Sequence, residues 1–192
     1  MAVMQPAEQL APPRPFLIDR AAYHRMGKAG VFDGRRVQLV YGTVIDMSPM
    51  GIPHRVAIRV LNRYFVEQAP DRWDVMVQLP LELSDDSEPE PDFAFVPRLK
   101  KGDDPAENPE AALVIEVSDS SLKFDLEVKA RLYAEAGIRE YWVLDLAAQS
   151  TVVHRAPRGS RYTKSKRVPW TRACASSEIP ELSVRFVDVL PL

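Results

Sequence analysis

The stretch LVIEVSDSSLKFDLEVKARLYAEAGIREYWVLD, residues 113–145, decides how this chain folds. It opens on an apolar run, passes through a polar turn into a helical pattern, and closes on a second apolar run. Residues 112–117 are apolar on both faces, which predicts a strand in the middle of a sheet. Leu126, Ala130 and Tyr133 mark the sheet-facing stripe of a helix that stops at Gly137. The run EYWVLDL is again apolar on both faces. Strand, helix and strand with short connections make a crossover unit, so the two strands are expected to be parallel and the connection right-handed. Within this unit Glu116 is out of character, because a carboxylate without a partner is costly to bury.

Working outward, DRAAYHRMGKAG predicts a short helix capped by Asp19 and stopped at Gly30. VQLVYGTVIDM predicts a hairpin bent at Tyr41-Gly42. Residues 54–68 show a helical period, with Val56, Ala57, Val60, Leu61, Tyr64 and Phe65 on one side and Pro70 as the stop. WDVMVQLPLEL predicts one long strand, with Pro80 at an edge, bulge or bend. DFAFV is the next strand, antiparallel to its predecessor, and the loop PRLKKGDDPAENPEA follows. TVVHRAP, RYTKSKRV and ELSVRFVDV are expected as further short strands. The sum is an α/β fold: a mixed sheet flanked by helices, with extra hairpins.

The bulk properties narrow the function classes. The chain has 192 residues and a formal net charge of −2, so nucleic-acid binding would need a local basic surface. One cysteine, Cys174, excludes an intramolecular disulfide framework. Three scattered histidines and that cysteine make no zinc pattern. No apolar run approaches a membrane span. Residues 1–15 lack signal-peptide features and are expected to be a disordered leader. Residues 16–192 are then one domain of a cytoplasmic protein.

Three side chains are candidates for chemistry. Glu116 lies inside a central strand, where its partner is a metal, a lysine or backbone donors; a plain salt bridge accounts for it about as well. Asp92 follows Pro91 at a strand start, where ordinary turn chemistry is the simpler account. Lys129 lies one helical turn after Asp125, and a surface pair at that spacing is worth only a few tenths of a kcal/mol. Lys129 nevertheless adjoins the sheet-facing stripe, so it is expected to point toward the strand ends. Two carboxylates on neighbouring strands suit a hard divalent cation such as Mg²⁺ or Mn²⁺. A nearby ammonium can orient a water or stabilise charge on a phosphate.

EPDFAFV, ALVIEVSDSS, FDLEVKARLYAEAGIREYWVLD and the upstream VQLVYGTVIDMSPMGIPH, in that order and spacing, resemble the Uma-type branch of the PD-(D/E)XK nuclease superfamily. The resemblance runs over residues 16–155. It implies a restriction-endonuclease-like fold and a Mg²⁺- or Mn²⁺-dependent endonuclease acting on DNA. It places Asp92 and Glu116 at the metal, helped by the Val117 carbonyl. It also implies that Lys129 is the catalytic lysine, displaced from the strand, where Ser118 occupies its usual place, onto the following helix. Asp125 and His54 match supporting positions. The hairpin departs from the pattern: Gln38 and Thr43 stand where glutamates are usual. That departure keeps a second reading open, a non-catalytic nucleic-acid-binding or assembly protein that retains the fold. Residues 146–177 hold no Asp or Glu, and Arg155, Arg158, Arg161, Lys164 and Lys166 are candidates for phosphate contacts; a charged edge strand protected from aggregation is the competing account. Nucleases that cut both strands often pair their sites, so a homodimer is a further expectation.

Overall fold

Residues 14–102 and 110–191 are described by the computed structural model. Most of the expected leader and the middle of the 97–111 loop lie outside the described residues.

Helix α1 (Arg20–Lys28) starts where the Asp19 carboxylate accepts the Ala22 N–H at 2.6 Å. Strands β1 (Val37–Val40) and β2 (Thr43–Asp46) form the expected hairpin. Tyr41 and Gly42 take φ of 50° and 69°, the left-handed pair that a two-residue hairpin turn requires. A Cβ on Gly42 would also lie 2.8 Å from Leu17 Cβ, so this turn has no room for a side chain. Helix α2 (Ile52–Gln68) opens with Pro53 in its first turn and buries Ala57, Leu61 and Phe65.

The main sheet has six strands, in the order β3 (Trp73–Val77), β4 (Phe93–Pro97), β5 (Leu113–Ser118), β6 (Glu140–Asp145), β7 (Ser150–Arg158) and β8 (Arg161–Pro169). β5 and β6 are parallel, and every other neighbouring pair is antiparallel. All six residues of β5 and all six of β6 are buried, as their two-sided apolar pattern demands. The crossover between them comprises α3 (Leu122–Phe124), a π turn over Asp125–Lys129 and α4 (Ala130–Glu135). It ends at Gly137, whose φ is 78°.

The sheet separates two apolar clusters. On one face Phe65 of α2 meets Phe93 and Phe95 edge-on, with centroids 5.1 and 5.5 Å apart, and Ile115 and Trp142 join the same cluster. On the other face Ala130 and Tyr133 of α4 pack with Val114, Tyr141 and Val143.

Two expected elements are different. The long strand from Trp73 stops at Val77, because Gln78 adopts a left-handed φ of 51° and Pro80 has no N–H to continue the ladder. The chain instead folds back through a bridge between Ser84 and Ser87. ELSVRFVDV is a strand only over β10 (Ser183–Val184), which pairs with β9 (Cys174–Ala175). A one-turn helix α5 (Phe186–Val189) follows, since Phe186 and Leu190, four apart, both enter the core.

Candidate active site

The β4–β5 register pairs Phe93 with Ile115, so one step further along the sheet Asp92 comes level with Glu116. Both side chains line a cavity of about 310 Å³ at this end of the sheet. Lys129 and Asp125 line it from the crossover, His54 from the start of α2, and Arg36, Gln38 and Glu90 from the hairpin side.

The lysine reaches the cavity because of the π turn. The Ala130 N–H bonds to the Asp125 carbonyl, five residues back, which advances the helical phase by about one residue. Asp125 and Lys129 are thereby buried while Ala130 and Tyr133 still face the core. Leu126, expected on the inner stripe, is only half-buried. Ser118, two residues beyond Glu116 on the same strand face, donates its hydroxyl to Asp125 Oδ2 at 2.7 Å. Ser121 donates to the same oxygen at 2.6 Å. Ser118 thus meets the site through Asp125, while Lys129 reaches Glu116 from the helix.

Lys129 Nζ donates to Glu116 Oε1 at 2.7 Å and stands 3.9 Å from Asp125 Oδ1. Burial alone would lower the lysine's pKa, but the charges of Glu116, Asp125 and Asp92 outweigh it and hold the ammonium protonated. Glu116 Oε1 also accepts from the Tyr133 hydroxyl at 2.8 Å. Burial pushes the Glu116 carboxyl up to about 8; Lys129 opposes the rise, and Asp125 and Asp92 add to it. The rise is first of all the cost of burying the charged form, with the neighbouring carboxylates adding to it.

Asp92 is held on three sides. Its Oδ2 accepts the Val117 N–H at 2.8 Å. Its Oδ1 accepts from Gln78 Nε2 at 3.1 Å and lies 3.2 Å from His54 Nε2. Burial would raise this carboxyl, yet the hydrogen bond and charge of His54, the Val117 N–H and Lys129 together hold it below its usual value. His54 is raised in turn: its burial is outweighed by Asp92, the Val117 backbone and Glu116.

Gln38 Oε1 accepts the Glu90 N–H at 3.4 Å. Glu90 itself, two residues before Asp92, presents a carboxylate to the cavity and pairs with Arg36 at 3.1 Å. Sequence reasoning passed over Glu90, Arg36, Gln78 and Tyr133. Only Glu90 carried a signal, its i, i+2 spacing from Asp92.

The structure does not bring the basic strand residues to this cavity. Arg155 is committed to the buried Glu140, at 2.7 Å. Register aligns Leu113, Glu140, Arg155 and Lys164 across the sheet, at the opposite end of β5 from Glu116. Arg158 and Arg161 face each other still further away, at the β7–β8 tip. Lys164 and Lys166 are exposed on the edge strand.

Among the described residues no helix is long and apolar enough to cross a membrane. Nothing among curated proteins matches the chain. Among solved structures, it is similar to a "putative nuclease belonging to DUF820" from Anabaena variabilis, with a TM-score of 0.58 at 17% identity, covering 81% of this chain and 90% of that one. At that identity the likeness shows a common fold, the restriction-endonuclease-like mixed α/β architecture. The model of the Uma2 family, described as "Putative restriction endonuclease", matches residues 20–185, and by this match over most of its length the chain belongs to the Uma2 family.

Proposed function

We propose that the protein is an endonuclease that hydrolyses DNA phosphodiester bonds with a divalent metal ion at the cavity of Asp92, Glu116 and Lys129. The observation that carries this reading is the juxtaposition itself: two strand carboxylates level with each other, and a buried ammonium 2.7 Å from one of them, at one open cavity.

The donor set fits a hard ion. It is made of oxygens, from Asp92 and Glu116, and Mg²⁺ or Mn²⁺ would displace the proton that burial favours on Glu116. Val117, whose carbonyl was expected as a third ligand, is not among the residues lining the cavity. Among the described residues no three His, Cys, Asp or Glu side chains form a ready-made cage, so water and phosphate oxygens would complete the shell. When bound, the ion would supply Lewis-acid polarisation of the phosphate and a more acidic water.

The chain's own residues do the rest. His54, Gln78 and the Val117 N–H fix the orientation of Asp92. Glu116 and Asp125 position the Lys129 ammonium, whose remaining N–H bonds are free to hold the attacking water and to stabilise charge on the phosphate. Tyr133 locks Glu116 from below, so little reorganisation is needed during reaction.

One observation favours the non-catalytic alternative: Asp92 already has three donors, and the hairpin presents Gln38 in place of a carboxylate. Plasmid cleavage separates the two readings. With Mg²⁺ or Mn²⁺ the wild type nicks or linearises supercoiled DNA, and Glu116→Ala and Lys129→Ala each lower the rate about 100-fold or more. An inactive, folded wild type supports the binding protein; equal activity in all three assigns the cleavage to a contaminant.

A further inference from the structure

Helix α2 carries Arg55, Arg59 and Arg63 at successive four-residue steps, and all three are exposed. Their partners on the opposite face, Ala57, Leu61 and Phe65, are buried against the sheet. Four residues advance a helix by about 6 Å, a spacing comparable to that of neighbouring phosphates along a nucleic-acid strand. The helix has a single acidic residue, Glu67, which pairs with Arg63 at 2.8 Å near the far end. The side chains of Arg55 and Arg59 form no hydrogen bond or ion pair among the described residues.

The stripe also starts in the right place. Gly51 and His54 line the cavity, and His54 touches Asp92. Arg55 is the next residue, and Arg59 and Arg63 lead away from the cavity along the helix. The other cationic surface, on β7 and β8, has Arg155 tied to Glu140 and its tip at the wrong end of the sheet. The guanidinium groups of Arg55 and Arg59, without local carboxylates, are available to phosphate oxygens, with release of counterions as the driving force, and Arg63 gives up only a weak exposed pair with Glu67.

We propose that Arg55, Arg59 and Arg63 on α2 form the track that holds the phosphate backbone of the DNA strand leading into the cavity, and that β8 lies outside this footprint. The inference rests on the nuclease reading of the cavity and adds where its substrate lies.

The test is fluorescence anisotropy of the full chain with a short labelled DNA duplex, in chelator so that no cleavage intervenes, across a series of salt concentrations. Arg55→Ala/Arg59→Ala is expected to weaken binding about tenfold or more at 0.1 M salt and to reduce the slope of log K against log salt by about 1.8, roughly 0.9 per lost phosphate contact. Arg55→Lys/Arg59→Lys is expected to keep the slope, and Lys164→Ala/Lys166→Ala to change neither quantity. Wild-type affinity and slope in the double alanine variant, or the loss appearing in the β8 variant, overturns the track. If the track variants bind normally while the wild type cleaves plasmid, only the track falls. If binding depends on the arginines but no cleavage occurs with metal, only the nuclease reading falls. Absence of any DNA binding by the wild type overturns both.

Discussion

Glu116 and Glu140 are both buried carboxylates on adjacent parallel strands, and their surroundings separate them. Glu140 accepts from the Trp142 indole, Arg155, the Ser176 and Ser177 hydroxyls and the Ser177 and Glu178 N–H groups. Burial alone would raise it, but these donors hold it below its usual value, and it works as a structural clasp for the 176–178 segment. Glu116 has two donors on one oxygen and faces a cavity, so burial prevails and its carboxyl rises to about 8. A carboxyl raised in the folded state binds a proton that the unfolded chain has released. Its contribution to stability is therefore full below the unfolded value and is lost as pH rises toward 8. Thermal unfolding in chelator tests this. The midpoint of the wild type relative to Glu116→Gln should fall steadily from pH 5 to pH 8.5, the span set by the ordinary carboxylate range and the raised value. A difference that stays constant with pH contradicts the environment described for Glu116.

At the scale of elements, the π turn and β5 together explain how a lysine on the helix reaches the Glu116 carboxylate at the cavity. Position 118 faces the same side as Glu116 and lies against Asp125, the residue that also approaches Lys129. Moving the lysine back should therefore restore part of the function. In the cleavage assay, Ser118→Lys/Lys129→Ala is expected to recover at least tenfold over Lys129→Ala, an effect of a little over 1 kcal/mol on the barrier. A folded double variant no more active than Lys129→Ala would mean that the ammonium must approach from the helix. The π turn was not legible beforehand, because its only trace is a competition for the inner face between adjacent Asp125 and Leu126, about 100° apart on a helix, and apolar periodicity favours the leucine. The strand stop was half hidden: Pro80 marks an edge, bulge or bend, but nothing marks Gln78 as the residue that turns. A left-handed glutamine has no compositional mark, whereas Tyr41-Gly42 announces its turn through the glycine.

At the scale of the whole molecule, the crossover from β5 to β6 places α4 on one face and leaves the other to α2, and the cavity opens where β4 and β5 meet both. The crossover, the hairpin and α2 were legible because each is written in a local pattern: two-sided apolar strands, a turn dipeptide, a 3.6-residue period. The grouping of Asp92, Glu116 and Lys129 came from the family resemblance, since each residue alone has a simpler structural account. Of the supporting layer, His54 and Asp125 were marked by the resemblance; the rest was not legible, since Tyr133 reads as core, Gln78 as strand, and Arg36 and Glu90 meet only across 54 residues. The basic run after Leu146 shows the same limit, because charge along a chain does not say at which end of a sheet it will lie.

The central claim is that Asp92 and Glu116 together hold a divalent ion. Calorimetric titration of Mn²⁺ or Mg²⁺ into the metal-free protein measures this directly, with Asp92→Asn as the comparison, since the amide keeps the shape of the side chain and removes its charge. The account predicts a saturable heat in the wild type that is abolished in Asp92→Asn while that variant still unfolds in one cooperative transition above the titration temperature. The same heat in both proteins, or none in the wild type, would contradict it.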